Sequence, residues 1–475
     1  MPVTTSPTAR HRGPSRTGRD RISAYTGTAA TTATPATPAT PTTSATRAAR
    51  ATAPAPAPPT LTDQAPEVTT VTTARFSVPT SGPARVLHQI RTVPGITRAR
   101  LHDDLGLSQP TVTRHVSALI DAGLVEQASP DPGAAAIGRP GSTLLPDGRE
   151  ITALGAHVGL RSTQLIAVDG AGRPLRSRTL RLPLPDLDPD EALEAVHHGL
   201  ATLGRGLPRP VGLGVAFSAH VNALGHISSA AYGWEDVDVA EKLVAAGSPL
   251  PDVPVALSTG VSAMAGAELS STVLTSGNAD TPAGGVPGAA TARSTLYVYA
   301  RELVAHAWIV GDAVHQPFTG APPAAFTALA ESGSFAASRN GIGHPLGTTA
   351  VLNVARDRGL EVSGLHELVA LSEHDSTARE ILDERAELLG RMISLAVDVV
   401  DPASVVFAGE AFTADPRAVK IIAGALNGGD HRSAGGSAVP RRRLSIQRAG
   451  DGILARAASV TALHRLWSDP LGTLS

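Results

Sequence analysis

The chain has 475 residues, enough for two or three domains, and its 42% hydrophobic content allows a sizeable core while its 3% aromatic content argues against a sugar-binding module of stacked rings. A formal net charge of -2 excludes nucleic-acid binding by the whole surface, so any such contact must be local. Cysteine is absent, which removes disulfides, thiol chemistry and cysteine-bound zinc and fits a reducing, cytoplasmic setting.

Residues 1–78 are dominated by Thr, Ala and Pro, with eight Arg against three acids. So few large apolar side chains cannot offset the entropy of ordering the backbone, and the segment is expected to be a disordered tail. The Arg-studded start lacks the apolar core of a secretory signal. No apolar run reaches the length of a membrane span; Met392 to Val400 is short and carries Asp398.

The next region, 80–147, reads as a winged helix-turn-helix. Val86, Leu87, Ile90 and Val93 make a helical stripe that Pro94-Gly95 stops. Thr97 can cap a second helix over Leu101 to Leu105, with Gly106 in the turn. Ser108 caps a third, where Pro110 falls in the first turn and its missing N–H costs nothing. Val112, Val116, Leu119 and Ile120 face inward; Gln109, Thr111, Thr113, Arg114 and Ser117 face out. Leu124 to Gln127 and Thr143 to Leu145 are expected to pair as a wing whose tip is Gly138-Arg139-Pro140-Gly141. A three-helix unit of this kind can also dock a protein. The capped helix, its Thr-Val-Thr-Arg face and an Arg at a hairpin tip favour DNA, with Ser108, Gln109, Thr111, Thr113, Arg114 and Ser117 toward the major groove and Arg139 toward the minor groove.

From 150 to 475 the pattern changes. Apolar strands at Leu165 to Val168, Val211 to Phe217, Val253 to Leu257, Thr295 to Ala300, Leu303 to Val310 and Val405 to Ala408 alternate with helices at Pro189 to Leu203, Val261 to Leu274 and Ser376 to Val400. This is an α/β domain with a mixed sheet, interrupted by a Gly/Ala/Thr-rich loop over 275–294.

The order and spacing of these features resemble the ROK family of repressors and sugar kinases, from Ala84 to about Leu471. The similarity rests on Ser108 to Arg114, on Gly138-Arg139-Pro140, and on the strand pair from Leu154 to Val168 followed by Gly170 and Gly172. It continues through Val211-Gly212-Leu213-Gly214-Val215, Gly233-Trp234, Ala263 to Glu268, Asp401-Pro402 before Gly409, and the helix Gly452 to Leu466. The resemblance implies an actin/hexokinase-like, two-lobed domain behind the winged helix-turn-helix, and repression as the usual sign of regulation.

It also marks what this chain lacks. The stretch matching the family's Asp and Gly-rich phosphate loop is His157-Val158-Gly159-Leu160-Arg161-Ser162. The stretch matching its Asn-Asp pair, whose Asp acts as base, is Thr259-Gly260. No base stands there, and the zinc ligands that the family draws from Cys are missing. No catalytic residue, metal or cofactor is therefore assigned. Three readings stay open at this stage: a regulator that senses a sugar or related small molecule, a regulator whose large domain only pairs subunits, and, weakest, an active sugar kinase. A surviving pocket would by position be walled by His220, Asn222, Trp234, Ser258, Thr259 and Trp308. The expected partners are an inverted-repeat DNA operator and a second copy of the chain.

Overall fold

The computed structural model describes residues 71–128, 142–244, 250, 252–274, 294–317, 329–330, 332–336, 343–428, 442–447 and 449–474. Most of the Thr/Ala/Pro-rich tail (to residue 70), the wing tip with Arg139 and the loop over 275–293 lie outside the described residues.

The first described residues correct one expectation. Residues 71–78, placed in the tail on composition, are built into the fold. β1 (Val71–Thr73) pairs in parallel with the strand Val255–Thr259, Ala74 and Phe76 are buried, and Ser77 bridges to Ala313 in a second sheet. Thr-rich composition hid a strand because Thr suits a pleated edge as well as it suits a disordered tail.

The head follows: α1 (Gly82–Thr92), β2 (Ile96–Thr97), α2 (Arg98–Leu105), α3 (Gln109–Asp121), β3 (Val125–Ala128) and β4 (Thr143–Pro146). Val86, Leu87 and Ile90 supply the buried face of α1, and Gly95 at φ 87° turns the chain out of it. Thr97 caps α2 by accepting from Arg100 N at 3.3 Å, and Gly106 ends it in the left-handed region. The wing sheet runs β2-β4-β3, with both pairs antiparallel.

Two larger sheets make two lobes. The first lobe contains β5 (Thr152–Val158), β6 (Ser162–Asp169), β7 (Pro174–Arg181), α4 (Pro189–Gly204), β8 (Pro210–Phe217), β9 (His226–Ser229), β10 (Trp234–Asp238), α5 (Val239–Val244), β11 (Val255–Thr259) and α6 (Gly260–Leu269). Its sheet order is β1-β11-β8-β5-β6-β7. The second lobe contains β12 (Thr295–Ala300), β13 (Val304–Val310), β14 (Ala313–Val314), α7 (Thr348–Asp357), α8 (Leu365–Leu371), α9 (Ser376–Val400), β15 (Ser404–Ala408), α10 (Glu410–Thr413), α11 (Pro416–Gly428) and β16 (Arg443–Ile446), in sheet order β14-β13-β12-β15-β16. The last helices, α12 (Ile453–Ala462) and α13 (His464–Ser468), return to the first lobe.

Side chains of α6 and α12 fill the space between the sheets, sharing a cluster with Ala216 and Ala256 of one and Tyr297, Ala307 and Ile309 of the other. Gly155 and Gly212 let α12 come close: a Cβ at Gly155 would stand 2.6 Å from Ala458 O, and one at Gly212 2.9 Å from Ala462 O. The alternating Gly-Leu-Gly of β8 is thus a helix-docking surface. On the other face of the first sheet, α4 closes the core with Leu193, Val196 and Leu200. Among the described residues, no helix is long and apolar enough to cross a membrane.

The helix expected to reach Leu274 stops at Leu269. Ser270 and Ser271 both turn their hydroxyls back to Ala267 O, at 2.9 and 3.0 Å. Such side-chain bonds offer the backbone an alternative to continuing the helix.

Candidate functional site

The outward face of α3 is assembled by its cap and its core. Ser108 Oγ accepts from Thr111 N at 3.3 Å and lies 2.8 Å from Thr111 Oγ1, so the helix starts at a fixed place. Val112, Val116 and Leu119 are buried, which fixes its rotation. Gln109, Thr113, Arg114 and Ser117 are consequently exposed, and Thr111 half-exposed. Within the sequence-derived set, Ser108 and Thr111 share a hydroxyl contact. Gln109, Thr113, Arg114 and Ser117 form an exposed polar strip. Nearby Arg100 is tied to Asp104 at 2.6 Å, whereas Arg114 has no ion pair among the described residues. A free guanidinium on such a strip can reach a guanine edge or a phosphate.

The head is bolted to the large domain through α1. His88 and Gln89 lie on its buried face. His88 Nε2–H donates to Thr272 O at 2.7 Å, and burial holds its pKa below the ordinary imidazole value, consistent with a neutral ring. Gln89 makes a two-way clasp: its Nε2 donates to Leu274 O at 3.1 Å while Leu274 N donates to its Oε1 at 3.0 Å. The same amide donates to Asp104 of α2 at 2.9 Å. One turn on, the Arg91 guanidinium sits 3.1 Å from the centroid of the Trp467 ring. Burial pushes its pKa down to about 9, aided by Arg456 and opposed by Asp169. The head core and one face of the first sheet form a single cluster, joining Val86 and Ile90 to Ile151, Ile166 and Leu463. Sequence reasoning missed this junction. The available signal was two polar residues, His88 and Gln89, inside an apolar helical stripe.

The cleft positions look different. His157 ends up buried at 2% exposure, with neither ring nitrogen hydrogen-bonded among the described residues. Burial pushes its pKa down to about 4. It faces Gly260, where a Cβ would stand 2.8 Å from His157 Nε2 and 3.0 Å from Phe217 O. The two residues flagged separately as substitutions are therefore neighbours, and the imidazole occupies the space that any side chain at 260 would need. In the second lobe, Glu302 Oε2 accepts from Thr349 N at 3.1 Å and from Thr349 Oγ1 at 2.8 Å, capping α7. Glu410 accepts from Thr348 Oγ1 at 3.4 Å. Two carboxylates already hold the helix start where an anion would otherwise be favoured.

Of the proposed pocket walls, the structure brings together His220, Ser258 and Thr259. Thr259 Oγ1 lies 3.4 Å from His220 Nδ1 and accepts from Val221 N at 3.1 Å. Ser258 is buried and donates to Thr259 O. Asn222 is occupied in a turn, accepting from Leu224 N and His226 N at 2.9 and 3.0 Å. Trp234 is packed into the first-lobe core, with Tyr232 and Phe217 at ring-centroid distances of 5.2 and 6.4 Å. Trp308 packs against the second-lobe cluster instead. Sequence order alone could not separate a core tryptophan from a pocket wall.

The MarR family model matches residues 79–135, the head that precedes the two-lobed domain. A curated transcriptional regulator of Mycobacterium tuberculosis is 29% identical over 412 residues, 83% of this chain and 87% of the relative. A transcriptional regulator of Mycobacterium bovis matches to the same extent. The crystal structure of a ROK family transcriptional regulator, a homologue of the E. coli MLC protein, superposes with a TM-score of 0.58 at 14% identity, over 82% of this chain and 98% of that one.

Proposed function

We propose that the chain is a DNA-binding transcriptional regulator that reads an inverted-repeat operator as a homodimer, and that its kinase-like domain performs no phosphotransfer. The observation that carries the reading is the exposed polar strip of Gln109, Thr113, Arg114 and Ser117 on a helix whose position is fixed by Ser108 and by its buried face. One such helix contacts few base pairs, and the chain's charge is near neutral, so a single head would bind weakly. Pairing two heads raises affinity through effective concentration, and two-fold symmetry then asks for an inverted repeat.

Against a kinase stand the same physical facts that describe the cleft. A base at 260 has no room beside His157, and the start of α7 is already held by Glu302. A sugar-like effector is part of the proposal as a ligand of the cleft around His220 and Thr259, whose polar groups include a buried His220 Nε2 with no hydrogen bond among the described residues. Recovery of genomic fragments on purified protein tests the reading. The expected result is a set of fragments sharing one inverted repeat; retention independent of sequence would refute it.

A further inference from the structure

We infer that Gln89, together with His88 and Arg91, determines which half-site spacing the regulator accepts, although none of the three lies on the recognition helix. The inference rests on the proposal that the chain reads paired half-sites. The spacing between two heads of a dimer is only as definite as each head's attachment. Heads on loose linkers tolerate many spacings, whereas heads fixed to the dimer body accept few.

Here the attachment is made of directional groups. The Gln89 amide exchanges two hydrogen bonds with the backbone of Leu274, and His88 donates to Thr272 O two residues earlier. Arg91 adds a face-on contact to Trp467 from a third direction, and Trp467 is itself anchored by donating to Gly170 O at 3.0 Å. Apolar packing alone permits sliding. A two-way amide clasp and a stacked guanidinium have one good geometry each, so they fix rotation as well as distance. The third bond of Gln89, to Asp104 of α2, passes that orientation to the helix that precedes α3. The segment being gripped, 272–274, follows α6 after the Ser270-Ser271 turn, and the first residue of α6, Gly260, abuts His157 in the cleft. The head therefore takes its angle from the end of the helix whose other end forms the cleft.

The test uses the full chain and the half-site recovered from genomic fragments. Duplexes carrying two inverted copies, with spacers covering about one helical turn in single-base steps, are titrated against wild type, Gln89→Ala and Leu274→Pro. Leu274→Pro removes the N–H that Gln89 accepts while leaving every head residue in place. Melting and light scattering check that fold and assembly persist. Wild type should bind one spacer and its nearest neighbours, with affinity falling about 10-fold or more beyond them. Both variants should bind a single half-site like wild type yet respond to spacing at least about 3-fold less steeply. Equal wild-type affinity for all spacers, or variants that retain the wild-type spacing profile, overturns the inference. A wild-type chain that distinguishes no half-site at all overturns instead the regulator reading on which it rests.

Discussion

The recognition helix and the cleft are built by opposite uses of polar side chains. On α3 the groups that could contact a partner are exposed, and the helix is held by its cap and its apolar face. In the cleft polar groups are turned inward, with His157 buried against Gly260 and Glu302 hydrogen-bonded to the start of α7. A surface that must bind keeps its hydrogen-bonding groups exposed, whereas the cleft buries His157 and His220 with ring nitrogens that find no hydrogen bond among the described residues. The difference separates an exposed polar face from a buried one better than composition does.

The comparison can be broken most forcefully at β1, the edge strand of the first sheet. A chain shortened to begin at Pro79 loses β1, the buried Phe76 and the Ser77 bridge. From the burial of one large side chain and a few ladder bonds, we expect a stability loss of about 3–5 kcal/mol, read as a lower urea midpoint. An unchanged midpoint would mean that the lobes do not depend on this strand.

Acid offers the next largest effect. His157 is held at a pKa of about 4 in the fold, against about 6.5 when unfolded. Below pH 6.5 the unfolded chain binds a proton that the folded chain refuses. Stability is therefore complete above that pH and declines as pH falls through 4, by about 3 kcal/mol from this group alone. His88, His220 and His464, lowered by burial too, push in the same direction. Urea midpoints measured at several pH values should show the decline, and His157→Phe should flatten it. Equal slopes for the two proteins would show that this imidazole is not excluded from protonation.

On the other side of the comparison, Arg114→Ala should weaken operator binding by about 1–3 kcal/mol if the guanidinium makes a bidentate base contact. A gel-shift titration with wild-type affinity would remove Arg114 from the interface. The smallest expected signal is catalytic. Neither wild type nor Gly260→Asp should release ADP in the presence of ATP and glucose, N-acetylglucosamine or mannose, since an acid at 260 would collide with His157. Sugar-dependent turnover by either protein would reopen the cleft as an active site.

Much of this was legible in the sequence where local rules act alone. The caps at Thr97 and Ser108, the stop at Pro94-Gly95 and the strand Thr295–Ala300 follow from residue chemistry within a few positions. β7 was missed because its side chains are nearly all exposed, leaving no apolar alternation to read. β1 was missed because its three residues gain order only from a partner strand some 180 positions away. The adjacency of His157 and Gly260, 103 positions apart, and the grip of Gln89 on Leu274 are likewise tertiary facts. Trp234 and Trp308 show the same limit from the other direction, since nothing local distinguishes a ring in a core from a ring lining a pocket.

β1 carries a consequence for how such a chain can be cut and rejoined. Among the described residues, the polypeptide joins the large domain's sheets at β1, leaves to make the winged helix, and re-enters at β5. In topological terms the DNA-reading module is an insertion near the beginning of the larger fold, not an extension in front of it. Grafting a different head onto this body therefore needs two junctions, one after Val78 and one before Thr152. A single fusion point after the wing would leave the edge of β11 bare, an open strand available to pair with another molecule.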